Sequence, residues 1–244
     1  YLNDDDLVIS VTVDSETRAY PHRILVRHEI VNDQIGKSSI AVTYCPLCGT
    51  SMVFDRVHEG KKLVFGVSGL LYNSDVLLFD RETRSLWSQL GMRGVSGDFI
   101  NAPLKWLPSE IMTWRAWRAA YPNGRALSKK TGLNQTYDRS PYEGYEESDG
   151  LMVPVPDTRK ELKHKAWVLG VMIGDKTKAY PLEELGGKKT LADHLDNIPI
   201  RVEYDPARRW HKVTNTASGE DIIAVQAYWF AWQAFYPETL IWQP

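Results

Sequence analysis

Cysteine is nearly absent from this chain: two residues among 244, within four positions of each other. A disulfide scaffold is thereby excluded as the source of stability, and the closeness of the pair points to chemistry or a metal before stapling. Charge of one sign is also lacking. Twenty-nine Lys and Arg stand against 31 Asp and Glu, so a formal net charge of -2 gives no electrostatic reason to expect a nucleic-acid partner. No apolar run reaches the roughly 20 residues of a membrane span. The longest, Ile222 to Tyr236, is interrupted by Gln226 and Gln233. No nucleotide or flavin motif occurs. An initiator Met and a basic-then-apolar leader are missing before Tyr1, which suits either a mature product freed of an export signal or anchor, or a trimmed sequence.

What is present is an ordinary globular composition, 43% hydrophobic and 25% charged, on a chain long enough to bury a sizeable core. Laid on itself, the sequence repeats. Val8-Ile9-Ser10-Val11 matches Val168-Leu169-Gly170-Val171, and Ala19-Tyr20-Pro21 matches Ala179-Tyr180-Pro181, at one offset of 160 positions. The same offset pairs Asp33 with Asp193, Tyr44 with Tyr204 and Pro46 with Pro206. Each copy closes on a similar aromatic segment, Trp117 to Pro122 and Trp232 to Pro237, at a shorter offset, so the second copy has lost a middle section.

This organisation predicts a first unit over 7–128, a long connecting segment over 129–164 rich in Tyr, Ser, Pro and Gly, and a second, shortened unit over 165–243. β-branched and alternating runs predict strands over Leu7 to Val13, Ile40 to Tyr44, Ser51 to Arg56, Lys62 to Val67 and Val76 to Phe79. Pro21 to Val26 reads as a short helical turn. The clearest helix is predicted to open at Pro108-Ser109-Glu110, capped by Ser109, with Ile111, Trp114, Trp117 and Ala120 on one face. The expected fold is therefore α+β and β-rich, two tandem related units from an internal duplication packed as one compact globule.

Where the copies differ in chemical type, one has something the other lacks. Cys45 corresponds to Asp205, Cys48 to Arg208, His28 to Lys188 and Glu29 to Lys189. A Cys-x-x-Cys pair lets two sulfurs hold one soft metal, or lets one thiolate attack while the other resolves a disulfide. With no second pair to complete a four-sulfur site, a third ligand has to come from elsewhere, and His28 is the candidate. The adjacent Glu29 is a candidate acid/base. The order His-Glu departs from the His-x-Glu of zinc nucleobase deaminases. A polar cluster, Ser68 to Asp75, and Trp87-Ser88-Gln89 follow; they read equally well as turn chemistry or as a pocket lining.

The segments Ala19-Tyr20-Pro21, His28 to Asp33, Thr43 to Thr50, Phe65 to Asp75, Ser85 to Gln89 and Pro141 to Tyr145 together resemble the bacterial and archaeal family catalogued as domain of unknown function 3179. The resemblance implies an exported or membrane-anchored protein, hence a periplasmic or cell-surface location. Copper is thereby favoured over zinc, and the weight of a structural disulfide rises. The leading expectation is an extracytoplasmic metal-binding protein, with a redox metalloenzyme as its more specific form. One metal ion, copper first and zinc second, would be held by Cys45, Cys48 and His28. Catalytic roles fall to Glu29 and Asp75, and Tyr44, Asn73 and Gln89 line the bound group. Alternatives are a metal-free dithiol/disulfide oxidoreductase and an aromatic-rich module binding a small molecule or protein partner.

Overall fold

A computed structural model describes residues 1–155, 159–187 and 190–244. The first quarter of the chain forms β1 (Leu7–Val13), β2 (Glu16–Pro21), α1 (His22–His28), β3 (Ile30–Ile35), β4 (Ser38–Cys45) and β5 (Thr50–Asp55). A short hairpin, β6 (Val57–His58) with β7 (Lys61–Lys62), leads into β8 (Phe65–Tyr72), β9 (Asp75–Asp80), β10 (Leu86–Ser88) and β11 (Arg93–Ser96). Next come β12 (Glu110–Thr113), α2 (Trp114–Ala120), β13 (Arg125–Ala126) and α3 (Glu143–Glu146). The remainder holds β14 (Trp167–Ile173), β15 (Lys176–Pro181), α4 (Leu182–Leu185), β16 (Thr190–Leu195), β17 (Ile198–Asp205), β18 (Trp210–Asn215), β19 (Ile223–Tyr228), α5 (Trp229–Phe235) and β20 (Leu240–Ile241).

The expected α+β architecture of two tandem units does not form. The main strands make five sheets, ordered β12-β1-β2-β13, β3-β4-β5, β11-β10-β9-β8, β19-β14-β15-β20 and β16-β17-β18, set as a five-blade β-propeller arrangement. Helices of four to seven residues cap sheet ends and are too short to cover a sheet as a layer. The copies also interlock. β12, which closes the first sheet, lies against β18, and β19, which closes its counterpart, lies against β5.

The repeat is nonetheless carried in strand register. Val8↔Pro21 through Val13↔Glu16 recurs as Val168↔Pro181 through Ile173↔Lys176. Ile35↔Ser38 recurs as Leu195↔Ile198, and Ile40↔Asp55 as Ile200↔Asn215. The closing strands, helices and final short strands repeat 115 positions apart. Of the five main sheets, that of β8 to β11 alone has no counterpart among the described residues, and the short β6–β7 hairpin before it has none either.

Two side-chain devices repeat with the backbone. Trp117 and Trp232, both fully buried, anchor the closing helices. The Trp117 indole N–H donates to Ser10 Oγ, while that of Trp232 donates to Thr239 Oγ1 and its ring lies where a Cβ on Gly170, the counterpart of Ser10, would sit. In the second device a tyrosine and a cation on β2 or β15 clasp an aspartate on the next blade. Asp33 Oδ2 accepts from Tyr20 at 2.8 Å and Arg18 at 2.7 Å, and Asp193 Oδ2 from Tyr180 at 2.9 Å and Lys178 at 2.6 Å.

Burial alone would raise these two carboxyls, but the donors around them outweigh it and hold both below the usual carboxylate range. Their contribution to stability is therefore complete above the unfolded carboxyl value of about 3.9 and is lost as pH falls through the lower folded value. Asp33→Asn and Asp193→Asn are each expected to cost about 1–2 kcal/mol at pH 7, where a charged acceptor is lost. The difference from wild type should vanish near pH 2 in urea melts; a penalty unchanged with pH would contradict the assignment.

One sequence-predicted helix start moves. Glu110–Thr113 is strand, because Ile111 and Met112 pair with Ile9 and Val8, and α2 begins at Trp114. Thr113, not Ser109, supplies the cap, its Oγ1 accepting from Ala116 N–H at 3.3 Å.

Candidate metal centre

β4 ends at Cys45 and β5 starts at Thr50, so the four residues Pro46 to Gly49 form the hairpin turn carrying both thiols. Gly49 sits at φ +69, and a Cβ there would lie 2.4 Å from the Trp167 ring, so the close approach of the second copy requires glycine. The Cys48 carbonyl accepts from Tyr228 N–H at 2.8 Å. Its counterpart, the Arg208 carbonyl, accepts from Thr113 N–H at 2.9 Å, so each copy pins the other's turn.

Asp75 is brought to this turn by the β8–β9 hairpin. Asn73 and Ser74 both adopt positive φ between the paired Tyr72 and Asp75, the geometry of a tight two-residue hairpin loop. This loop is tied down on three sides: Asn73 Nδ2 donates to the Ala234 carbonyl at 2.9 Å, Ser74 Oγ to the Val153 carbonyl at 3.1 Å, and the Cys48 thiol to the Ser74 carbonyl at 3.1 Å.

The result is one group of three metal-capable side chains. The Sγ atoms of Cys45 and Cys48 and a carboxylate oxygen of Asp75 lie within 4.8 Å of one another, and all three residues are buried. Both thiols are unbridged. Asp75 Oδ2 accepts from Leu90 N–H at 2.8 Å, and Oδ1 lies 3.4 Å from Thr50 Oγ1. The Thr50 hydroxyl donates to Gln89 Oε1 at 2.6 Å, and Gln89 Nε2 donates to Thr43 Oγ1 at 2.8 Å. Gln89 thus stands one hydrogen bond behind the centre and fixes the threonine beside Asp75.

Burial pushes the Asp75 carboxyl up to about 6 against the opposing effect of the Leu90 amide and both thiols. Burial, reinforced by Cys45 and Asp75, drives the Cys48 thiol well up. Three acidic groups are thus crowded out of water, and among the described residues no salt bridge reaches any of them. A cation in their midst would stabilise all three ionised forms at once.

His28 lies elsewhere. Its Nε2 is 2.6 Å from the Tyr137 hydroxyl, which also meets Thr131, so the imidazole is engaged by the segment after the first copy and is outside the thiol group. Glu29 ends α1 at φ +57, its carbonyl accepts from Tyr44 N–H at 2.8 Å, and burial raises its carboxyl. Tyr44 stacks on His22 with ring centroids 4.3 Å apart. Lys188 and Lys189, matched in sequence to His28 and Glu29, lie outside the described residues.

Sequence reasoning had not singled out Thr43, Thr50, the Leu90 amide or Tyr145, whose hydroxyl donates to the Leu47 carbonyl at 2.9 Å. The threonines flank the cysteine motif at strand spacing that puts them on its buried side. Tyr145 comes from a distant segment, and although Pro141 to Tyr145 carries part of the family resemblance, nothing local ties it to the cysteine turn.

A five-blade arrangement in which a carboxylate from the β8–β9 hairpin meets the buried dithiol of the β4–β5 hairpin turn defines the class. The sequence profile of the family described as Protein of unknown function (DUF3179) matches residues 1–217, and the chain belongs to that family. No curated protein and no solved structure matches it.

Proposed function

We propose that this is a metal-binding protein whose single ion is held by Cys45, Cys48 and Asp75. The supporting observation is the convergence of two thiols and a carboxylate within 4.8 Å in a site closed to solvent. Two sulfurs and one oxygen suit a borderline ion, so replacing an imidazole by a carboxylate moves the preference from copper to zinc. Three protein ligands leave the fourth tetrahedral position for one enclosed water, and Gln89 acting through Thr50 orients the carboxylate. The family resemblance supports a periplasmic or cell-surface setting.

The metal-free dithiol reading is weaker on physical grounds. An attacking cysteine needs an accessible thiolate, whereas Cys48 is fully buried with its thiol pushed up.

Elemental analysis of protein purified without an affinity metal tests the proposal. About one zinc or copper per chain is expected, unchanged in His28→Ala because that imidazole is occupied by Tyr137. Loss of metal in His28→Ala, or a metal-free wild type that takes up neither ion when reduced and titrated, would overturn the ligand set.

A further inference from the structure

A cavity of about 550 Å³ opens where the two copies face each other, for its wall includes counterparts from both: Leu7 with Trp167, Gly49 with Arg209, and Ile111 with Gln226. The pairing is unequal at the turn. Gly49 of the first copy meets the Trp167 ring closely, whereas the equivalent position in the second copy is Arg209 and the counterpart of Trp167 is the smaller Leu7, both on the cavity wall.

Arg209 is held at φ +58, the left-handed region that a side chain disfavours, so its placement opposes local backbone preference. Its guanidinium carbon lies 5.3 Å from the Trp167 ring centroid. Its Nε is buried with no hydrogen-bond partner, and among the described residues its terminal nitrogens have neither a hydrogen bond nor an ion pair. The other two arginines of the wall are committed, Arg23 to Asp6 at 2.7 Å and Arg139 to Glu143 at 3.1 Å. His22 adds no positive charge, since burial and then Arg209 itself bring its imidazole down to about 3.

We infer that this cavity binds a small aromatic carboxylate, with the acid group on the Arg209 guanidinium and the ring against Trp167 and Tyr228. A single planar guanidinium matches the two oxygens of a carboxylate. Trp167 and Tyr228, with centroids 4.4 Å apart, supply the apolar wall. The wall also carries Asp5, Asp6, Asp138, Glu143 and Glu146, of which Asp6 and Glu143 are paired with Arg23 and Arg139, and this negative field opposes a doubly charged phosphate more strongly than a singly charged carboxylate. The site stands apart from the metal reading, although Tyr44 and Gly49 of its wall bracket the cysteine turn.

Calorimetric titration with benzoate, and separately with inorganic phosphate, tests it on wild type and on Arg209→Gly. Glycine is the residue of the first copy's counterpart and relieves the positive φ, so this variant is expected to melt at or above the wild-type temperature. Benzoate should bind wild type, and Arg209→Gly should weaken that binding at least tenfold while Arg209→Lys retains part of it. Absence of benzoate binding to wild type, phosphate binding more tightly than benzoate, or full binding by a folded Arg209→Gly would each overturn the inference.

Discussion

Asparagine at position 75 is expected to lower metal affinity by more than about a hundredfold without unfolding the protein. Substitutions behind a metal ligand typically cost 10–100-fold, and removing a charged ligand exceeds that. The amide has the volume of the carboxyl and keeps an oxygen for the Leu90 N–H, now at 2.8 Å. It gives up a negative charge that burial already disfavours, since the Asp75 carboxyl is pushed up to about 6. The metal-free variant should therefore be as stable as the metal-free wild type, and a neutral group at this site follows the familiar exchange of function for stability. Competition with a chromophoric chelator reads the affinity, and thermal melts of the stripped proteins read the fold. Thr50→Val, which removes the hydroxyl between Asp75 and Gln89, should cost about tenfold. Equal affinity in wild type and Asp75→Asn would remove the carboxylate from the ligand set.

Trp87→Ala is expected to destabilise the protein by about 3–5 kcal/mol, the range for truncating a buried aromatic to alanine. The ring is fully buried on β10, meeting Phe65 and His58 edge-on and Phe99 at a tilt. Its indole N–H donates to the buried Asp80 Oδ2 at 2.9 Å, so truncation also strips a donor from a buried carboxylate. The cost should reach the centre as well. Trp87 pairs with Leu78 on β9, the strand that begins at Asp75, and the same β10 segment runs on to Gln89 and the Leu90 amide. Urea denaturation should show a lower midpoint, and chelator competition a weaker metal site. Trp114→Ala, at a half-buried ring stacked on Trp117, is expected to cost markedly less. Similar costs at the two positions would mean that the sheet of β8 to β11 is not tightly packed.

The recurring strand register was legible because a β ladder preserves register as strictly as sequence: Tyr20 and Tyr180 recur with Asp33 and Asp193 since each pair makes the same clasp. The propeller arrangement was not legible. It depends on β12 returning to β1 across some hundred residues, and on carbonyls of one copy's turn meeting amides of the other, contacts that leave no local pattern. The helix expected from Ser109 failed for the same reason, Ile111 and Met112 having been claimed by β1. In the site, Cys45 and Cys48 were visible as a motif and as a difference between copies. Asp75 was placed among the catalytic candidates and not among the ligands, because its approach to the thiols is set by the Asn73-Ser74 loop and its three anchors. His28 looked like a ligand by residue type and proximity in sequence, and Tyr137, more than a hundred positions away, takes it.

X-ray absorption at the metal edge of the purified protein tests the three-ligand centre most directly. Two sulfur scatterers at about 2.3 Å and oxygen at about 2.0–2.2 Å, with one sulfur lost in Cys48→Ser, is the expected spectrum for zinc. A first shell containing no sulfur, or a histidine ring pattern beside the two sulfurs, would contradict a centre built from Cys45, Cys48 and Asp75.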